Sequence, residues 1–143
     1  MGKEQNGVTT AEQHIGVQVN NEHYAIPILD VHEIIRMLDI TYVPDTRTSV
    51  LGVINLRGKT IPVMSLSERL GFSAEEYTPH TRIVVVACDE GEIGVIVDSV
   101  NEVLSFNDIQ PSPENGKVEY LLGIGVKGNV LMSILDLKQL VSC

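Results

Sequence analysis

Turn signals recur about every 8–12 residues along this chain. Asn20-Asn21, Pro44-Asp45, Gly58, Asp89-Glu90-Gly91, Asn115-Gly116 and Lys127-Gly128 punctuate short runs dominated by Val, Ile and Leu. β-branched residues fit a pleated, half-buried surface, and this spacing is that of all-β sandwiches or small barrels. About nine or ten short strands are expected on this pattern.

In chain order, residues 1–12 read as a flexible N-terminal tail, and 13–143 as a single folded unit. Ile15, Val17 and Val19 alternate with His14, Gly16 and Gln18, the pattern of a half-buried strand. Tyr24 to Ile28 returns from the Asn20-Asn21 turn. Asp30 is placed to cap one helical turn, His32 to Leu38 reads as a strand, and Thr41 to Ser49 as loop. Ile83-Val84-Val85-Val86 lies in a continuous apolar strand, Thr81 to Cys88, buried on both faces. Ile93 to Val97 returns from the next turn, and Val100 to Phe106 continues after a bend at Asp98-Ser99. Residues 107–117 form a proline-bearing surface loop. Tyr120 to Val126 and Asn129 to Leu135 pair across Lys127-Gly128, and Asp136 caps a final helix, Leu137 to Ser142.

The most legible stretch is residues 52–71. Val53 to Leu56 and Thr60 to Met64 form a hairpin whose link, Arg57-Gly58-Lys59, exploits the freedom of Gly58 to take positive φ. Pro62 lacks a ladder donor, which suits an edge strand or an arm with its free side outward. Ser65 is the N-cap of a short helix, Leu66 to Leu70, with Glu68 at the third position and Gly71 as the stop.

Composition narrows the function. Apolar residues make up 43% of the chain and Trp is absent, so the core must be aliphatic. A net charge of −9 repels phosphate backbones and anionic lipid, which argues against nucleic-acid binding and direct membrane contact. No apolar run has the roughly 18 residues of a membrane-spanning helix, and the polar start of the chain lacks the apolar core of a signal peptide. Cys88 ends an apolar run and reads as a buried, reduced thiol, in keeping with a cytoplasmic protein. The four histidines, His14, His23, His32 and His80, lack metal-ligand spacing and fall on polar strand faces or in turns. Gly123-Ile124-Gly125 lacks the helix and Lys-Ser/Thr of a phosphate loop, and Glu75-Glu76 and Asp89-Glu90 read as solvated turns. No catalytic constellation emerges and no cofactor is implied. What remains is a binding module acting through exposed loops, strand edges and grooves.

Gly52-Val53-Ile54-Asn55-Leu56-Arg57-Gly58, then Ile61-Pro62-Val63 and Leu66, closely resembles the signature of the CheW family of chemotaxis coupling proteins. Tyr24-Ala25-Ile26, Val31-His32-Glu33-Ile34, Gly94 to Val100, Ile109 with Pro111 and Pro113, and Tyr120 to Gly125 are similar in the same order, so the resemblance spans about residues 13–142. The chain departs from the family at Ser65, usually aspartate, at Ser67, often basic, and at Asn115, where some members carry a bulky apolar residue.

The resemblance implies two SH3-like five-stranded β-barrels around a shared hydrophobic core. It also implies a non-enzymatic adaptor, monomeric in isolation, that couples chemoreceptors to the chemotaxis histidine kinase CheA and reaches the membrane only through receptors. Carried over residue by residue, the receptor-binding set is Val31, Glu33, Ile34, Asn55, Arg57, Gly58, Ile83 and Gly94, with Ile83 and Gly94 lining a groove between barrels. Core packing is the competing reading for Val31, Ile34 and Ile83, and plain surface charge for Glu33 and Arg57. A CheV-type or kinase-borne regulatory domain is the alternative architecture.

Overall fold

The computed structural model describes residues 12–44, 50–73, 76–88, 91–111 and 120–141. The tail 1–11, Asp45, Glu75, the Asp89-Glu90 part of its turn, Pro113, Asn115-Gly116 and the end of the last helix at Ser142 lie outside them.

Among the described residues the elements run β1 (His14–Val19), β2 (Glu22–Pro27), a 3-10 turn (Ile28–Asp30), β3 (Val31–Arg36), β4 (Thr41–Tyr42), β5 (Val50–Leu56), β6 (Lys59–Ser65) and α1 (Leu66–Arg69), then β7 (Arg82–Cys88), β8 (Gly91–Val97), β9 (Ser99–Leu104), β10 (Asp108–Gln110), β11 (Leu121–Lys127), β12 (Val130–Leu135) and α2 (Leu137–Val141). They build two six-stranded sheets, ordered β10-β11-β12-β2-β1-β9 and β3-β7-β8-β6-β5-β4. The all-β architecture is as expected. Each sheet has six strands rather than five, the additions being short: two-residue β4 inside the expected Thr41–Ser49 loop and three-residue β10 inside the expected proline loop.

The chain starts one sheet, completes the other, then returns. The return falls at Asp98, between β8 of the second sheet and β9 of the first. Its backbone N–H donates to the Gln18 carbonyl at 2.9 Å, and its carboxylate accepts from the Asn20 backbone N–H at 2.8 Å. The bend expected at Asp98-Ser99 is thus a change of sheet.

Side-chain alternation divides the core into three parts. Ile15, Val17 and Val19 from β1 meet Val84 and Val86 from β7, Val95 and Val97 from β8, and Leu137 and Leu140 from α2 in a cluster shared by both sheets. The opposite faces of β7 and β8 send Ile83, Val85 and Ile96 into the second sheet's own interior with Ile54, Ile61 and Val63. Ala25, Leu104, Phe106, Met132 and Ile134 fill the first. Each fully buried aliphatic side chain contributes about 1.5–3 kcal/mol relative to exposure, so a core without Trp suffices.

Several local expectations hold. Asn20 and Asn21 both take positive φ (54° and 67°) in the β1–β2 turn. The Ser65 hydroxyl accepts from the Glu68 backbone N–H at 3.1 Å, capping α1, and Gly71 ends it at φ 96°. Others are corrected. Asp30 closes the 3-10 turn instead of capping it; the position before the turn is Pro27. β6 is an interior strand paired with both β5 and β8, but its ladder to β8 covers only Val63–Ser65, so Pro62 precedes the point where its missing donor would matter. His14 is fully buried, because β1 also packs its second face, placing the imidazole 5.0 Å from the Phe106 ring. Cys88 is disulfide-bonded and half-buried at the end of β7, where its strand leaves the core; it is not a buried free thiol. The other cysteine of the sequence, Cys143, lies outside the described residues.

Candidate functional site

The β5–β6 hairpin closes with a two-residue turn. Leu56 pairs with Lys59, leaving Arg57 and Gly58 at the corners with φ of 52° and 85°. Two consecutive positive φ values are those of a type I′ turn, whose twist matches its strands and which favours Asn-Gly or Gly-Gly. Arginine at the first corner is therefore conformationally costly. The Asn55 side-chain oxygen accepts from the Gly58 backbone N–H at 2.9 Å and holds the turn closed.

Opposite stands β3, which pairs irregularly with β7: Val31 faces Val86 and Glu33 faces Val85, so His32 is the extra residue of a bulge. Alternation in a regular strand would send His32 and Glu33 to opposite faces. Here both reach the hairpin end of the barrel. Glu33 accepts a hydrogen bond from the Arg57 guanidinium, and His32 Nδ1 lies 2.7 Å from a Glu92 carboxylate oxygen. The other Glu92 oxygen accepts from Lys59 Nζ at 2.8 Å. Strand β3, which ends one side of the sheet order, is thereby tied to the β5–β6 tip near the other side, and the sheet curls into a barrel.

The electrostatics follow the pairing. The Glu33 carboxylate holds the Arg57 guanidinium even more firmly protonated than usual. Hydrogen bonds from Lys59 first, then His32, hold the Glu92 carboxyl below its ordinary range. Arg57 is 68% exposed in its side chain and Glu33 32%, so the pair faces solvent and adds little to folding. The pair presents the planar Arg57 guanidinium at the exposed rim of the hairpin.

The expected site residues divide. Glu33, Asn55, Arg57 and Gly58 converge on this corner. Ile34 is 36% exposed on β3, while half-buried Val31 packs against the shared core. Ile83 and Gly94 do not line a groove: both are buried. A Cβ at Gly94 would stand 2.7 Å from Ile83 Cγ2 and 2.9 Å from Val63 Cγ1, so Gly94 serves close packing beneath β8. Sequence reasoning missed His32, Lys59 and Glu92. Lys59 was legible as part of the turn, but the bulge that turns His32 toward Glu92 leaves no local signal. Among the described residues no three His, Cys, Asp or Glu side chains are grouped to hold a metal ion, and no helix is long and apolar enough to cross a membrane.

Comparison with known proteins agrees with this architecture. The CheW-like domain family matches residues 13–142. The chemotaxis protein CheW of Klebsiella aerogenes is 31% identical over 108 residues, 72% of this chain and 65% of the relative. That of Bacillus subtilis is 38% identical over 101 residues, 67% of this chain and 65% of the relative. The chain thus spans just under two thirds of the length of these curated relatives. In structure it is similar to the scaffolding protein TtCheW from Thermoanaerobacter tengcongensis, with a TM-score of 0.82, 31% identity, and coverage of 92% of this chain and 93% of the other. With the family matched over nearly its whole length and the fold shared with a scaffolding member, the chain belongs to the CheW-like domain family.

Proposed function

We propose that this protein is a non-enzymatic adaptor that couples chemoreceptors to the chemotaxis histidine kinase CheA, working in the cytoplasm at receptor assemblies. The observation that carries the reading is the Glu33–Arg57 pair, held on an exposed barrel rim at a turn whose backbone favours glycine or asparagine over arginine. An arginine kept in a left-handed corner and oriented by a carboxylate suits partner recognition better than folding. Family membership and the similarity to a scaffolding protein support the adaptor role.

The receptor face in this reading comprises Glu33, Asn55, Arg57, Gly58 and Ile34, with Val31 behind them. Ile83 and Gly94 shape it only through the packing beneath. The partner element is a helical hairpin whose apolar face lies along the barrel while Arg57 and Glu33 orient it. Equilibrium binding of a receptor cytoplasmic fragment and of CheA, measured separately on single surface variants, tests this. Substitutions at the Glu33–Arg57 rim should weaken receptor binding and spare kinase binding. Loss of the kinase alone would reassign the rim to the kinase, and loss of neither would remove it from both interfaces.

A further inference from the structure

Two cations stand close together on the β5–β6 tip, Arg57 at a corner of the turn and Lys59 at the start of β6. Two carboxylates from other strands face them: Arg57 pairs with Glu33 of β3, and Lys59 with Glu92 of β8. Charge alone does not choose between this arrangement and its exchange, Arg57 with Glu92 and Lys59 with Glu33. The Glu92 charge already reaches Arg57. Glu33, by hydrogen bond and charge, is the main cause of the strengthened guanidinium protonation, and Glu92 adds to it. A single exposed ion pair is weak, so small differences decide which pairing is kept.

Glu92 is the member least free to exchange. Along β8, Ile93, Val95 and Val97 enter the shared core while Ile96 enters the interior of the second sheet. By that alternation Glu92 and Gly94 share the interior face, with Glu92 near the start of the strand. Its side chain is 18% exposed, the least of the four. Both carboxylate oxygens are occupied: one accepts from Lys59 Nζ at 2.8 Å, and the other lies 2.7 Å from His32 Nδ1. A guanidinium binds a carboxylate best through two parallel hydrogen bonds, and a carboxylate filled from two sides leaves no open edge for that fork. In the sheet order β8 stands between β3 and the β5–β6 hairpin, so Glu92 can hold both flanks at once.

We propose that Glu92 is a positioning residue for the receptor-facing arginine: by engaging Lys59 and His32 it keeps Lys59 off Glu33 and leaves Glu33 to orient Arg57. In this role Glu92 touches no partner; it sorts two cations between two carboxylates. Without the Glu92 charge, Lys59 turns to Glu33 and competes with Arg57. Without Lys59, Glu92 has an open edge and draws Arg57 from Glu33. With both removed, Arg57 has Glu33 to itself again. The effect on recognition deepens the adaptor reading and rests on it, whereas the sorting is a property of the free protein.

The test compares Glu92→Gln, Lys59→Met and the double variant in the full-length protein, by two readouts. In the free protein the Arg57 Nε–H resonance, assigned by its loss in Arg57→Asn, should shift in each single variant and return close to its native position in the double. Binding of a receptor cytoplasmic fragment should weaken at least about fivefold in each single variant and recover to within about twofold of native in the double. Thermal melts accompany the isotherms; if one single variant fails to fold, the other single and the double carry the comparison. A double variant that binds no better than the singles would overturn the proposal and make Lys59 or Glu92 a direct contact or a merely stabilising pair. An Arg57 resonance unmoved in both singles would overturn it as well. If the native protein does not bind the receptor fragment, the adaptor reading falls, and the resonance still decides the sorting.

Discussion

Arg57 and Glu33, 24 residues apart in sequence, meet as an ion pair because a bulge in β3 and a type I′ turn after β5 point both side chains to the same rim. The pair itself is too exposed to contribute much to the stability of the barrel. Geometry and charge can therefore be separated by substitution. Arg57→Asn suits the left-handed corner and should leave the melting temperature unchanged or raise it slightly, while weakening receptor binding at least tenfold. Arg57→Glu should weaken binding further, and Glu33→Lys should behave similarly. Thermal melts alongside binding isotherms decide; native affinity in Arg57→Asn would make the arginine incidental.

The Lys59–Glu92–His32 link predicts an acid-side effect. Glu92 titrates below its ordinary range when folded, so its pairing stabilises the protein above the unfolded carboxyl value, about 4.5, and that contribution is lost as pH falls through the lower folded value. Lys59→Met removes the larger of the two hydrogen bonds. It should raise the Glu92 titration midpoint, read by carbon NMR of the carboxyl, and flatten the fall in stability below about pH 4.5.

His14 gives a second pH signature, nearer neutrality. Burial pushes its pKa below 6.5, opposed by the charge and then the backbone of Glu12, and among the described residues neither ring nitrogen has a partner in full hydrogen-bond geometry. Below about pH 6.5 the unfolded chain takes up a proton that the folded one resists, so stability falls with pH by at most about 1.4 kcal/mol per unit from this group. His14→Leu should remove that part of the slope between pH 6.5 and the lower folded value. An unchanged slope in chemical denaturation would mean the imidazole protonates freely in the native state.

Gly94 and Ile83 should report on packing. Gly94→Ala pushes a methyl to within 3 Å of two buried side chains and should cost about 1–3 kcal/mol. Ile83→Val removes a methyl and, combined with Gly94→Ala, should recover part of that loss. Denaturant midpoints of the two singles and the double form the cycle; strictly additive losses would show that the two side chains do not compete for the same space.

The α1 cap offers a local check. Ser65→Ala should cost about 1 kcal/mol, whereas Ser65→Asp keeps an acceptor for the Glu68 N–H and should restore most of it. Equal losses in both variants would remove the cap from the account.

What the sequence alone determined was local. Turn residues fixed where the chain reverses: Asn20-Asn21, Arg57-Gly58 and the Gly128 corner all stand where the punctuation placed them. Runs of Val and Ile determined the strands between, and the short range of a Ser65–Glu68 hydrogen bond made the cap readable. Tertiary structure decided whatever depends on the identity of a neighbour across space. That Pro62 could sit in an interior strand depended on where the β8 ladder begins. That His14 is buried depended on β1 packing both faces, and that Ile83 and Gly94 are core depended on which side of β7 and β8 faces the second barrel. The bulges at His32 and at Asn101-Glu102 are the clearest case. A register shift arises from pairing with another strand, and no residue within β3 or β9 records it, yet the one in β3 accompanies the Glu33–Arg57 pair and the one in β9 sets two residues opposite Gly16.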